Sequence, residues 1–189
     1  MRNYAAGVTF ADDASWTCTT CGRAHSGLAT VFGSDAPHDW HVATAAQRDK
    51  GELTADVCFL PDADPALGTH FFLRGHIQLP LLEPLGAEET FTWSVWVSLS
   101  IESLEHVFEH WDDPDRARLL PPMFGWLRSD LPYEPSTLDL RTQVHTRAPG
   151  LVPLVEVEPT GHPLAQEQAA GISVHRVAEL NRALLGELH

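Results

Sequence analysis

The chain has 189 residues, of which 43% are hydrophobic and 20% are charged. This balance is typical of an ordinary globular protein and excludes a disordered chain. Its 12 lysines and arginines face 26 aspartates and glutamates, giving a net charge of −14. Because an acidic surface repels phosphate groups and anionic lipid heads, the charge disfavours nucleic acid and the membrane surface as partners. A protein partner or a small molecule is expected instead.

The first fifteen residues are weakly patterned and contain no continuous apolar stretch, so no secretory signal is expected. The longest run without a charged residue, residues 90–101, is too short to cross a bilayer as a helix. The three cysteines are an odd number, which argues against a disulfide framework. We therefore expect a cytoplasmic protein, with residues 1–15 as a loosely ordered extension and residues 16–189 as a single domain.

The clearest chemical signal is the pair of cysteines in Cys18-Thr-Thr-Cys21, within a segment of residues 16–27 that predicts a metal knuckle. Two thiolates at this spacing can bind one tetrahedral ion, and the glycine that follows allows a tight turn. The nearest third ligand is His25, and Cys58 is a further candidate. The set can also be completed by one of three more distant histidines, namely His70, His76 and His145. We expect zinc in a structural role, with two unligated thiols or a redox dithiol as alternatives.

Three strands are predicted in the middle of the chain, over residues 54–60, 69–79 and 91–99. In the second of these, apolar and polar side chains alternate, which predicts one buried face and one polar face. The buried set is Phe71, Leu73, Ile77 and Leu79.

A ligand groove is predicted on the polar face of these strands. Arg74 and His76 share that face on the second strand, and Trp96 joins it from the third. A later strand carries His145 with the same alternation. If these strands pair, the four side chains line one groove, while the solvent-exposed face of a sheet is the simpler alternative.

A helix capped by Ser98 or Ser100 is predicted from apolar residues at helical spacing, and it ends before Pro114. His106 and His110 lie four residues apart on it, a spacing that can chelate a metal, although a solvated polar face is the simpler interpretation. The proline-rich residues 112–136 predict an extended loop.

The last third of the chain predicts strands over residues 138–147 and 152–157, a short helix from Thr160 and an amphipathic helix capped by Ser173. Together the elements predict an α+β fold, with an antiparallel sheet and helices mainly on one side. No βαβ alternation and no glycine-rich phosphate loop are present, so a nucleotide-binding fold is disfavoured.

The tryptophans divide between core and surface. Trp93 shares the apolar face of its strand and is expected in the core, whereas Trp96 and Trp126 are expected to be partly exposed. An exposed tryptophan can anchor a partner, while the simpler alternative is that each of these two covers the core.

Several segments resemble, in order, a bacterial family known as domain of unknown function 2199. The opening Cys18-x-x-Cys21-Gly22-x-x-His25 is one, and the others are HFFLRGHIQLP, FTWSVWVSLS, WDDPDR, FGWL, LDLRTQVH and EPTGHPLAQEQAAGI. The resemblance runs from about Trp16 to Leu185 and implies a bacterial cytosolic protein built as one unit. It also implies that the cysteine pair is a genuine site. The matching motif residues are Cys18, Cys21, Gly22, His25, Arg74, Trp93, Trp96, Trp126, His145, His162 and Gln168.

Two functions are compatible with these patterns. One is a binding or regulatory module, immunity-like and stabilised by the metal knuckle, which neutralises a partner through its acidic surface. The other is a small zinc-dependent enzyme, a hydrolase or a biosynthetic accessory enzyme, with a Cys/Cys/His site and a water on the metal. No nucleophile motif is present to favour the second.

Overall fold

The computed structural model describes residues 9–10, 16–17, 22 and 24–186. Within these residues the backbone forms eleven strands, and two of them, β7 and β8, are much longer than the rest. The strands are β1 (Thr9–Phe10), β2 (Trp16–Thr17), β3 (Ala24–His25), β4 (Ala29–Gly33), β5 (Glu52–Leu53), β6 (Val57–Pro61), β7 (Thr69–Leu85), β8 (Glu88–Leu99), β9 (Met123–Leu127), β10 (Arg141–His145) and β11 (Leu154–Val157).

The helices of the described residues are short, and none combines the length and apolarity needed to cross a membrane. They are α1 (His38–Val42), α2 (Ala45–Arg48), α3 (Ile101–Glu109), α4 (Arg116–Leu119), α5 (Pro163–Ala170) and α6 (Val174–Leu185). The caps follow the sequence signals in two cases: the hydroxyl of Ser100 accepts from the backbone N–H of Ser103, and that of Ser173 accepts from Arg176.

Nine of the described strands form one sheet in the order β1-β4-β8-β9-β10-β11-β7-β6-β5, and β7 and β8 also pair with each other. This additional pairing closes the five strands β7 to β11 into a small barrel. β2 and β3 form a separate antiparallel ribbon. The protein therefore mixes strands and helices, as expected, but the sheet curls on itself instead of staying open.

The sheet is mixed, which corrects the antiparallel prediction. β4 runs parallel to β8, and β11 runs parallel to β7. In both cases the partner strands are distant in sequence and are joined by crossover connections, whereas most of the antiparallel pairs join strands that follow each other along the chain. Two strands therefore pair along the same edge of β7, namely β6 and β11. In the same way, β4 and β9 pair along one edge of β8.

The barrel interior is filled by inward-facing apolar side chains, including Ile77 and Trp93, both fully buried. Two inward positions are glycines because no side chain fits there. A Cβ atom on Gly75 would lie 2.4 Å from a methyl of Val155, and one on Gly125 would lie 2.4 Å from a methyl of Val97. Because the backbone at both glycines lies so close to neighbouring side chains, a barrel of only five strands can close around a packed core.

The outer face of β7 and β8 is only partly polar, which corrects the prediction of one polar face. Phe72 and Trp96 are buried there together with Cys58, and Trp40 of α1 packs over them. Trp93 in the core is confirmed, whereas the expected exposure of Trp96 is wrong.

The strand β9 lies inside the region predicted to be an extended loop. Its five residues alternate between buried and exposed, with Phe124 and Trp126 facing outward. The segment is short and follows Pro121-Pro122, so its alternation is a weak signal in the sequence. The partial exposure of Trp126, at 40%, is confirmed.

One buried side chain anchors α6 to β4. The amide of Asn181 accepts from the backbone N–H of Ala29 at 2.7 Å and donates to its carbonyl at 2.9 Å. Asn181 therefore takes the place of a neighbouring strand beside β4, because buried backbone groups require partners.

Candidate functional site

A cleft of about 720 Å³ opens where β7 and β11 diverge. The two strands pair only where His76 meets Leu154, with the backbone N–H of His76 donating to Pro153 at 2.8 Å. Beyond that point the end of α5 lies against β7, and Ile172 donates to the carbonyl of Pro80 at 2.8 Å. We name this opening the divergence cleft.

The open edge of β11 is satisfied by a side chain. The amide of Gln168 on α5 accepts from the backbone N–H of Val157 and donates to the carbonyl of Val155, each at 2.8 Å. The helix can therefore lie beside β11 without leaving its backbone groups unpaired. Gln168 is what allows the strands to separate, and it lines the cleft that results.

The polar side chains of the cleft come from alternating positions on three strands. Leu154 is in register with His76 on one side and with His145 on the other, so the two histidines flank it on the same face. Gln78 follows two residues after His76. The Nε2 atom of His145 lies 3.2 Å from a carboxylate oxygen of Glu156, an ion-pair contact that lacks the geometry of a hydrogen bond.

His76 is held in its neutral form. Partial burial lowers the pKa of His76, and the positive charges of Arg147 and Arg74 lower it further. Within the described chain, neither His76 nor Gln78 makes a side-chain hydrogen bond, so both have donors and acceptors free for a ligand.

The remaining walls are mostly apolar and include Pro80, Val157, Ala165 and Ala169. An apolar cleft with a few free polar groups is the usual form of a small-molecule site. The arrangement can bind and orient a ligand. It contains no nucleophile paired with a base.

The other two residues of the predicted groove are placed elsewhere. Arg74 and Trp96 are cross-strand partners, and the guanidinium lies 4.7 Å from the centre of the indole ring. Trp96 is fully buried and donates its ring N–H to the carbonyl of Ser34 at 3.1 Å. Of the four residues of the predicted groove, the structure brings His76 and His145 together, while Arg74 and Trp96 form a separate stacked pair.

The structure describes only some of the proposed metal ligands. Cys18 and Cys21 lie outside the described residues. The backbone of His25 belongs to β3 and pairs with Trp16 of β2. In the described residues no three His, Cys, Asp or Glu side chains are grouped so that they can hold a metal ion.

Cys58 is a free, fully buried thiol on β6, among Leu60, Phe72 and Trp96. Burial raises the pKa of Cys58 to about 12, with a smaller contribution from the charge of Asp39. A metal ligand must be a thiolate, so this environment is unfavourable for ligation.

The other predicted histidines make local contacts. His70 lies 2.6 Å from Asp62, and Nδ1 of His110 lies 3.0 Å from the carbonyl oxygen of His106. His162 caps α5, because its Nδ1 accepts from the backbone N–H of Leu164 at 3.1 Å.

The sequence patterns missed three residues of the cleft. Gln78 shares its strand face with His76, so the alternation of β7 was sufficient to find it. Glu156 becomes relevant only through the register of β10 and β11. Gln168 matches the family resemblance, but its contact with β11 requires the fold.

The family model for an uncharacterized protein conserved in bacteria, DUF2199, matches residues 17–172. No curated protein and no solved structure shows significant similarity to the chain.

We predict that Gln168→Ala destabilises the protein by about 2 kcal/mol, because two backbone groups of β11 lose their partner. Chemical denaturation measures the loss, and amide hydrogen exchange should be faster at Val157. The matched control is Gln166→Ala on the same helix, whose amide makes one exposed contact with Gly161. Equal stability of the two variants would contradict the role assigned to Gln168.

We also predict that His76 contributes to the dependence of stability on pH. Since its pKa is lowered on folding, the unfolded chain takes up the proton first as the pH falls below about 6.5. Stability is therefore retained above this pH and lost from there down to the lowered pKa. His76→Gln should make the loss shallower in denaturation curves measured across this range. His106→Gln, an exposed substitution on α3, should leave the wild-type slope; a wild-type slope in His76→Gln would refute the assignment.

Proposed function

The chain belongs to the bacterial family DUF2199, and we propose that it is a binding module that holds a small, largely apolar molecule in the divergence cleft. The observation that carries the proposal is the meeting of His76 and His145 across Leu154, in a cleft whose other walls are mainly apolar. Such a surface gains free energy by burying apolar ligand area.

The free polar groups define how the ligand is oriented. Neutral His76 can donate one hydrogen bond and accept another, and the amide of Gln78 can do both as well. A ligand with a hydroxyl, carbonyl or amide at one end would satisfy them, while its apolar body lies along Val157 and Ala169.

The broader role that we propose is regulatory and immunity-like, with a protein partner recognised through the acidic surface. Supporting this are the net charge of −14 and the exposed aromatic pair of Phe124 and Trp126, whose rings meet edge to face at 5.1 Å. The guanidinium of Arg141 lies 4.9 Å from the ring centre of Phe124 and 5.8 Å from that of Trp126. Trp, Phe and Arg are enriched at the centres of protein interfaces.

We further propose that Cys18, Cys21 and His25 bind a structural zinc ion. Supporting this is the ribbon of β2 and β3, in which Thr17 pairs with Ala24. In the sequence both cysteines fall between Thr17 and Ala24, and two thiolates at this spacing can bind one tetrahedral ion.

The cleft proposal is tested with 1-anilinonaphthalene-8-sulfonate, an apolar fluorescent probe of suitable size. Ala169 is an exposed residue of α5 that lines the cleft, so Ala169→Phe should fill the cleft without disturbing the core. We expect this variant to weaken binding about tenfold, equivalent to ~1.4 kcal/mol, in a fluorescence titration.

The matched control for this titration is Ala170→Phe, which adds the same ring to an exposed position of the same helix outside the cleft lining. It should bind the probe as the wild type does. Amide chemical shifts should locate the bound probe at His76, Gln78 and Gln168. Unchanged affinity in Ala169→Phe, or shifts confined to another surface, would refute the cleft as the binding site.

The metal proposal predicts that purified wild-type protein contains zinc and that Cys18→Ser loses it and melts at a lower temperature, because metal binding contributes to folding free energy. Elemental analysis and thermal melting test both parts, and Cys58→Ser, at a thiol buried in the hydrophobic core, is the control for zinc content alone. X-ray absorption then separates the alternatives. Four protein ligands support a structural site, whereas three ligands and a water support the zinc-enzyme alternative. Retained zinc and an unchanged melting temperature in Cys18→Ser would exclude the knuckle.

A further inference from the structure

Two adjoining hollows of about 400 Å³ and 600 Å³ lie on the outer face of β7, β8 and β9. Three residues line both of them, namely His70, Ser98 and Trp126, so the hollows form one continuous depression that we name the acidic trough. It shares no lining residue with the divergence cleft. The trough is therefore a second, separate concave surface of the protein.

The register of the strands creates the trough. Phe72 lies opposite Ser98, and Ser98 lies opposite Trp126, on β7, β8 and β9. Ser98 has the smallest side chain of the three, so its position forms a floor between two aromatic residues. Phe72 is buried, whereas Trp126 is partly exposed and lines both hollows. An aromatic side chain is thus available to a ligand at the middle of the trough.

One end of the trough carries more negative than positive charge. The guanidinium of Arg128 donates to both carboxylate oxygens of Asp39, at 2.8 Å each, and it also contacts Asp139. Two carboxylates therefore share one cation, and one negative charge is in excess. The excess lies at the surface, because the side chain of Asp139 is 68% exposed.

The other end of the trough carries a second exposed carboxylate, Glu102, at the start of α3. Hydrogen bonds from its own backbone N–H and from Ser100 lower the pKa of Glu102, so the side chain is ionised at neutral pH. No basic side chain of the described chain lies within ion-pair distance of it. The remaining titratable group that lines the trough is His70, which already faces Asp62 at 2.6 Å.

The distance between the two ends follows from the length of β8. The backbone N–H of Arg128 donates to Trp96 at 2.8 Å, and Ser100, four residues further along, caps α3. Since a strand rises about 3.3 Å per residue, the two acidic ends are separated by about 13 Å. The exposed apolar surface of the trough includes Trp126 and Ile101.

From this pattern we propose that the acidic trough binds an extended basic segment of a protein partner, with one cationic side chain at each acidic end and an apolar side chain against Trp126. The inference rests on the proposed recognition of a protein partner, and it specifies the surface and the chemistry. In an extended chain the first, third and fifth residues face the same side, and the first and fifth lie about 13 Å apart. This spacing matches that of the acidic ends. A partly exposed tryptophan flanked by complementary charge is a typical centre of a protein interface.

The probe is a peptide of five residues, acetyl-Arg-Ser-Leu-Ser-Arg-amide, added to the full-length protein at low ionic strength. Calorimetry measures its affinity, and amide chemical shifts locate it. We expect binding that shifts the amides of Ser98 and Trp126 and that weakens as salt is added, because salt screens exposed charges. The same peptide with glutamine in place of both arginines should bind at least about tenfold more weakly. Spermidine, which has the cationic groups without the peptide, should also bind more weakly.

Two substitutions test the acidic ends. Asp139→Asn and Glu102→Gln should each weaken peptide binding about threefold, since each removes one exposed charge contact. Asparagine also tolerates the positive φ of 62° at position 139. The matched controls are Asp49→Asn and Glu105→Gln, which remove the same charge from exposed residues outside the trough. Both controls should bind the peptide as the wild type does.

The outcome is separable from that of the cleft proposal. Absence of peptide binding, in protein that still binds 1-anilinonaphthalene-8-sulfonate in the divergence cleft, would overturn this inference and leave the cleft intact. Equal binding of the glutamine peptide or of spermidine would overturn it as well. Equal weakening in the control variants would show attraction by the net charge of the whole chain, and would exclude the trough as the binding site.

Discussion

The central constraint on this structure is that every buried backbone group needs a partner, and a side-chain amide meets it where two strands separate. Gln168 bonds the edge of β11 as a neighbouring strand would, and Asn181 does the same for Ala29 of β4. Both amides come from helices, so α5 and α6 can cover backbone groups of β11 and β4 that no neighbouring strand bonds. The divergence cleft exists because the amide of Gln168 replaces a neighbouring strand. Without Gln168, β11 would have to continue along β7 or expose its backbone.

The arginines of the protein differ in the groups that surround them, which the net charge of the chain does not reveal. Four of the described arginines lie within ion-pair distance of carboxylates, namely Arg118, Arg128, Arg141 and Arg176. Arg116 is solvated by carbonyls instead, and Arg74 is stacked on Trp96 with one donor unsatisfied. A chain with a net charge of −14 has ample carboxylates for both. These two guanidinium groups are instead accommodated by the rings of Trp96 and Trp111, over which they lie at 4.7 Å and 5.5 Å.

The sequence was sufficient to predict local structure but not to predict how the strands are arranged in the sheet. The serine caps and the alternation of β7 were readable because they depend on neighbours in the chain, and they correctly placed Ile77 in the core and His76 on the opposite face. Barrel closure and the parallel pairs depend on contacts between distant residues, which periodicity does not encode. For the same reason periodicity could not show which residues of the predicted groove lie together: His76 and His145 meet only because β11 lies between their strands. Trp96 was misjudged because its covering comes from α1, an element separated from it by more than fifty residues.

Barrel closure also has a consequence for behaviour at high concentration. Exposed sheet edges are templates on which other chains can add strands and aggregate. Because β7 and β8 pair with each other, neither long strand forms the end of the sheet. Within the described strands the sheet terminates at β1 and β5, each only two residues long. The described sheet contains a seventeen-residue strand, yet it ends in two strands that are too short to be a continuous template for intermolecular β-pairing.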